Sequence, residues 1–217
     1  MTDLHLLPAT EPSVPERLPP IPSGLALATQ VIACTWIALA WLSLVASLDP
    51  YAGTFHLLVS LSFLPVEISA VVVVGFWLTE SRRLAERMSP GYRHRKHIAF
   101  LWLGWVLPIV ELWYPYLGVR DVHRATVGPT ARGCGLWWTS YLVLRLSMGA
   151  VGLADLYLAE KGGPVLRLSV LPWFELGSAS ATLLAGILWI RIVRQVTETQ
   201  RRRVAAIEAA QRSHLAP

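Results

Sequence analysis

Gly24 to Leu48 runs for 25 residues without one charged side chain, and no other stretch constrains the fold as strongly. A helix of that length rises ~37 Å, more than the ~30 Å hydrocarbon core of a bilayer, which ~20 apolar residues already cross. A soluble domain of this size could not cover such a helix on every side. The composition agrees: 54% of the 217 residues are hydrophobic and 15% are charged, where soluble domains carry roughly 25% charge. Mean hydropathy is +0.48. The expectation is one small integral membrane domain. A net charge of +5 and a pI near 9.6 would also suit a nucleic-acid binder, but the basic residues flank apolar runs instead of lining one face. Nucleic acid is therefore not an expected partner.

Along the chain, residues 1–23 hold six prolines and three acidic residues. They read as a disordered Pro-rich tail, acidic where a signal peptide would be basic. The membrane domain is expected over 24–193, with spans at about 24–48, 54–79, 135–159 and 168–190. A basic helical tail follows over 194–217. Between the second and third spans lie a basic segment, 80–97, with six Lys and Arg, and an apolar stretch, 98–118, that Pro108 divides into halves of ~15 Å each. Either half reaches only half a bilayer.

Charge bias decides how 98–118 is placed. If it crosses, there are five spans and nine basic residues on each side. If it enters and leaves on one side, there are four spans and sixteen of nineteen basic residues share a side with both termini. The positive-inside rule selects the second arrangement, with cytoplasmic termini and short outer turns near 49–53 and 160–167. Trp77, Trp137, Trp138 and Trp189 then fall at cytoplasmic span ends, as an aromatic belt requires. The expected fold is thus an all-α polytopic integral membrane helical bundle in the cell membrane, with four spanning helices and a Pro-broken hairpin at 98–118, re-entrant or interfacial.

One string of residues is recognisable. Trp77, Arg82 and Ala85, then Gly104, Trp105, Pro108, Glu111, Leu112, Trp113, Pro115 and Tyr116, then Arg120, Asp121, His123, Arg124 and Thr126, with the pair Trp137-Trp138, resemble a bacterial membrane family known as domain of unknown function 4328. The resemblance covers about residues 75–150. It implies a small multi-span membrane domain with a low-complexity amino-terminal tail and no assigned reaction. The family tends to carry Asn where this chain has Leu84 and Glu111, and Arg where it has Glu80, so an ionisable group at 111 is a departure.

Chemistry is sought in the few charges inside apolar runs. Pro65, Pro108 and Pro172 are followed at two or three residues by Glu67, Glu111 and Glu175. Proline frees a carbonyl one turn earlier, which a nearby carboxylate could join in binding a cation or proton. Glu67, Glu111 and Arg145 fall at similar depth, where a charge costs roughly 2.5 to 3.5 kcal/mol and so faces the bundle interior and pairs. Arg145 is expected to pair with one of Glu67, Glu111 or Glu175, leaving a carboxylate to hold a proton or cation; the bland alternative is a structural contact. For Glu175 that alternative is strongest, because Pro172 suits a helix first turn and the acid its dipole.

His94, His97 and His123 are read as solvated interfacial histidines, and Cys34 and Cys134 make no disulfide framework. Neither a metal-ligand spacing, a GxSxG nucleophile nor a phosphate loop is present, so no metal, cofactor or enzymatic activity is expected. A stripe of small residues, Gly177, Ala181 and Ala185 with Ser178, Thr182 and Gly186, is a helix-packing face, expected inside the bundle with a homodimer as the alternative. The basic segments are expected to meet anionic lipid headgroups or a membrane-protein partner. Two functions follow: a non-enzymatic scaffold or accessory membrane component, and alternatively a small proton- or cation-coupled transporter or channel. A polar cavity converging on Glu67 and Glu111 favours the second, a dry interior the first.

Overall fold

The computed structural model describes residues 18–49, 53–89, 102, 104–105, 107, 110–129, 131–161 and 164–215. Within them the protein is all-helical: α1 (Ser23–Ser47), α2 (Gly53–Met88), a short 3-10 turn (Val110–Leu112), α3 (Tyr114–Val127), α4 (Cys134–Lys161) and α5 (Pro164–Leu215). Residues 1–17 of the expected tail, all of the basic segment beyond residue 89 with His94 and His97, and most of 98–109 with Pro108 lie outside the described residues.

The uncharged run folds as α1, one residue out of register with the expected span. Among the described residues three helices are long and apolar enough to cross a membrane, over Ser23–Ser47, Thr54–Met88 and Ser169–Ser213. Their surfaces are inverted relative to a soluble bundle: only 17% of the most apolar window of α1 and 11% of that of α2 are buried. Leu27, Leu57, Leu61, Leu64 and Ile68 all point outward. A contiguous apolar surface of this extent is what hydrocarbon covers.

Two helices run further than expected. α2 has 36 residues and continues through Glu80 to Met88, so the second span and the start of the basic segment are one rod. Arg82 and Arg83 support it there through pairs with Glu86 and Glu80, at 2.7 and 2.6 Å. α5 has 52 residues and begins at Pro164, which places Pro172 inside the helix. This corrects the expectation that Pro172 sits in the first turn; Pro164, with no N–H to satisfy, takes the opening position instead.

Side-chain bonds fix which ends meet. Arg194 donates to Gln30 Oε1 at 2.9 Å, Gln200 to the Ser81 carbonyl at 3.0 Å, and Arg203 to both Ser89 and the Ala125 carbonyl. The start of α1, the end of α2, α3 and the carboxyl-terminal half of α5 therefore share one end. At the opposite end Glu175 of α5 accepts from Ser43 of α1 and pairs with His56 of α2. The four long helices alternate in direction, and α1 packs on α2, α5 on α1, and α4 on α5. The small-residue stripe lies in this packing in part: Ser178, Thr182 and Ala185 are buried and a Cβ on Gly186 would come within 2.7 Å of Ile37, whereas Gly177 is exposed and Ala181 half-buried. Among the described residues α2 and α4 have no extended packing against each other; Trp102 meets Phe76 of α2 and Trp105 meets Tyr141 of α4, and a cleft between the two helices reaches inward to α1 and α5.

The hydrophobic core sits at the shared end, where Val74, Trp77, Leu78, Val119, Val122, Trp137, Trp189 and Val193 join α2, α3, α4 and α5. The four tryptophans expected as a lipid-facing belt do gather at one level. However, Trp77, Trp137, Trp138 and Trp189 are buried, and ring contacts at 5.5 Å (Trp77 to Trp189) and 5.1 Å (Trp137 to Trp189) tie α2, α5 and α4 together. Aromatic pairs of this kind gain about 0.5 to 1.5 kcal/mol beyond the area they bury.

Candidate functional site

α2 brings Glu67 to one side of the cleft, ~21 Å along the helix from Gly53, and α4 brings Arg145 to the other, ~17 Å from Cys134. Arg145 spans the gap. Its Nη1 donates to Glu67 Oε1 at 2.7 Å, and its Nε lies 3.1 Å from Glu111 Oε1. Glu111 comes from the 3-10 turn before α3 and accepts a second bond, 2.9 Å, from the Tyr141 hydroxyl. Sequence reasoning placed Arg145 with one carboxylate; the guanidinium fork serves two, because its Nε and Nη1 point in different directions. Tyr141 precedes Arg145 by four residues, one helical turn on the same face, and that spacing was the available signal for it.

The group faces a cavity of ≈ 130 Å³. Glu67, Glu111, Arg145, Tyr141, Thr29 and Thr182 supply its polar lining, and Trp36, Trp105, Trp137 and Trp189 its aromatic walls. The indole N–H of Trp105 is buried with no acceptor among the described residues. Two carboxylates against one guanidinium leave the lining with a formal charge of −1 when all three are ionised.

Glu175 stands apart from this group. It is buried at the far end, accepting from the Ser43 hydroxyl at 2.9 Å with His56 Nε2 at 3.3 Å. Three helices are clamped there, and neither Ser43 nor His56 was marked in the sequence.

Of the family-like residues, Trp105, Glu111 and Trp137 line the cavity, and others pack behind them. Trp105 packs edge-on against Tyr141 at 6.1 Å, and Gly104 beside it is buried. The Leu112 carbonyl accepts the Trp138 indole N–H at 3.1 Å. Pro115 opens α3, Tyr116 stacks on Trp138 at 6.3 Å, and the Arg120 guanidinium lies 5.0 Å from the Tyr116 ring. Asp121 is buried and Arg124 exposed. The motif is thus a packing device that holds Glu111 up to Arg145.

His123 departs from its expected solvated state: it is almost fully buried. Its Nε2–H donates to Gln195 Oε1 at 3.1 Å, leaving Nδ1 to accept the Cys134 thiol at 3.1 Å. Burial lowers the imidazole pKa, opposed by the Gln195 bond. Burial also pushes the thiol up to about 11 against the opposing pull of Arg124 and Arg120, so both groups are neutral at pH 7. A protonated thiol is a poor nucleophile and metal ligand, and no cluster of three metal-ligating side chains occurs among the described residues.

A family model described as domain of unknown function (DUF4328) matches residues 46–198. The match takes in Glu67, Glu111, Arg145 and Glu175 together. No curated protein and no solved structure gives a match.

Proposed function

The chain belongs to the DUF4328 family, and from that premise we propose a non-enzymatic, multi-pass protein of the cell membrane whose Glu67, Arg145 and Glu111 group links it to protons or cations. The single observation that carries this reading is the cavity on which those three side chains converge. An uncompensated charge at mid-bilayer costs roughly 2.5 to 3.5 kcal/mol. Two carboxylates sharing one guanidinium therefore favour uptake of a proton or of a cation, and the cavity gives either a place to arrive.

The topology proposed with it has four spanning helices, α1, α2, α4 and α5, and cytoplasmic termini. Its support is the alternation of the helices and the basic residues at the shared end. The segment around 98–118 is proposed to enter and leave on that side: Ser89 before it and Ala125 after it are both held by Arg203, and Glu111 within it reaches Arg145.

A scaffold or accessory role is the second reading, favoured by one feature. The last turns of α5, from Arg201 on, are largely exposed and open with Arg201, Arg202 and Arg203, a surface for anionic lipid, a membrane-protein partner or a second copy. Purified protein in proteoliposomes separates the two. Proton or monovalent cation flux that falls at least tenfold in Glu67→Gln and Glu111→Gln is the expected result. Wild-type flux no greater than that of empty vesicles would remove the coupled reading and leave the scaffold.

A further inference from the structure

We propose that the cavity receives the head of a single-chain amphiphilic ammonium, which enters from the bilayer between α2 and α4 and leaves its tail in lipid. The inference rests on the reading that this cavity is the functional site, and adds the chemical class of its ligand. Access comes first. α2 and α4 bound a cleft, and the Glu67 side chain is 40% exposed at its mouth. Leu64 and Ile68 beside it on α2, and Leu146 next to Arg145 on α4, are outward-facing leucine and isoleucine side chains. A ligand arriving through such a rim comes from hydrocarbon and must be partly apolar.

Charge selects its head. Glu111 already receives Arg145 and Tyr141, whereas Glu67 accepts from Arg145 alone among the described residues. A cation therefore settles at Glu67, and an anionic head is repelled by two carboxylates in a medium of low dielectric. The walls then choose between kinds of cation. Magnesium and calcium need about six to eight oxygen ligands, which two carboxylates and an aromatic lining do not provide. Trp36, Trp105, Trp137 and Trp189 line it instead, and indole rings attract a weakly hydrated ammonium. The cavity of ≈ 130 Å³ is close to the ~150 Å³ that admits a benzene-sized group. A benzyl or trimethyl head fits, and a long tail must trail through the cleft.

The test uses the full chain in phosphatidylcholine nanodiscs, with radiolabelled benzyldimethyldodecylammonium as probe, its uncharged benzyl dodecyl ether as control, and empty nanodiscs as background. Saturable binding near one per chain is expected. It should weaken at least tenfold in Glu67→Gln, recover in Glu67→Asp, and weaken in Trp36→Leu, each variant first shown monodisperse. Equal binding of ammonium and ether, or ammonium binding unchanged in Glu67→Gln, would overturn the proposal. Glu67-dependent proton or sodium flux without ammonium binding overturns the ligand class and leaves the coupled function standing. Ammonium binding without any flux supports the ligand and overturns the coupling.

Discussion

Arg145 is the residue on which the site turns, since its two nitrogens hold carboxylates from two separate parts of the chain, 2.7 and 3.1 Å away. Arg145→Met should therefore cost about 2 kcal/mol in detergent-solubilised protein, more than Glu67→Gln, because it leaves two acids facing one another with Tyr141 as the only donor to either among the described residues. Thermal unfolding should show stability returning when Glu67→Gln and Glu111→Gln are added to Arg145→Met. A loss no larger than that of Glu67→Gln would mean the pairs hold nothing together. His123 sets a pH dependence. Its folded pKa lies below the ordinary 6.5, so between the two values the unfolded chain binds more protons than the folded one. The stability it contributes is complete above pH 6.5 and declines as pH falls from there towards the folded value. His123→Gln should flatten that part of the profile, as read by unfolding midpoints between pH 7.5 and 5. Cys134, pushed up to about 11 and buried, should react with maleimide at pH 7 far more slowly in the folded protein than after denaturation, measured with Cys34→Ser to remove the exposed thiol.

At the scale of elements, the long apolar runs were readable because hydropathy needs only local sequence, and α1 came within one residue. What failed was where helices start and stop. The sequence suggested that α5 begins near Pro172, but a proline within a helix removes one bond that neighbouring helices can compensate, and Pro164 makes the better start. The contact between α2 and the segment before α3 carries its own prediction. A Cβ on Gly75 would lie 2.7 to 2.9 Å from the Trp102 ring, which also meets Phe76 edge-on at 4.9 Å. A rigid indole cannot yield as a flexible side chain can, so Gly75→Ala should destabilise by about 1 to 3 kcal/mol, and Trp102→Leu in the same chain should restore part of it. Thermal unfolding of the single and double variants checks this. Along α5, Val193, Val196 and Gln200 are buried whereas the residues beyond Val204 are mostly exposed. Ending the chain after Ala206 should leave the unfolding midpoint nearly unchanged, and ending it after Thr197 should lower it sharply.

For the whole molecule the decisive quantity is which ends of the helices lie together. Reporter fusions at both termini and in the 160–167 turn should place the termini in the cytoplasm and the turn outside; an extracytoplasmic carboxyl terminus would overturn the four-span arrangement. The sequence by itself marked the long apolar helices and where charge is scarce, because a bilayer imposes a length and a hydrophobicity on each segment separately. It also singled out Glu67, Glu111 and Arg145, since a charge within an apolar run must be accounted for. Only the tertiary structure decided that these three meet while Glu175 joins Ser43 and His56, that the tryptophans turn inward, and that a cavity remains among α1, α2, α4 and α5. Those outcomes depend on the rotation of each helix about its axis and on which helices become neighbours. Packing sets both between residues as far apart in the chain as Gln30 and Arg194, 164 positions, and no local pattern of residues records them.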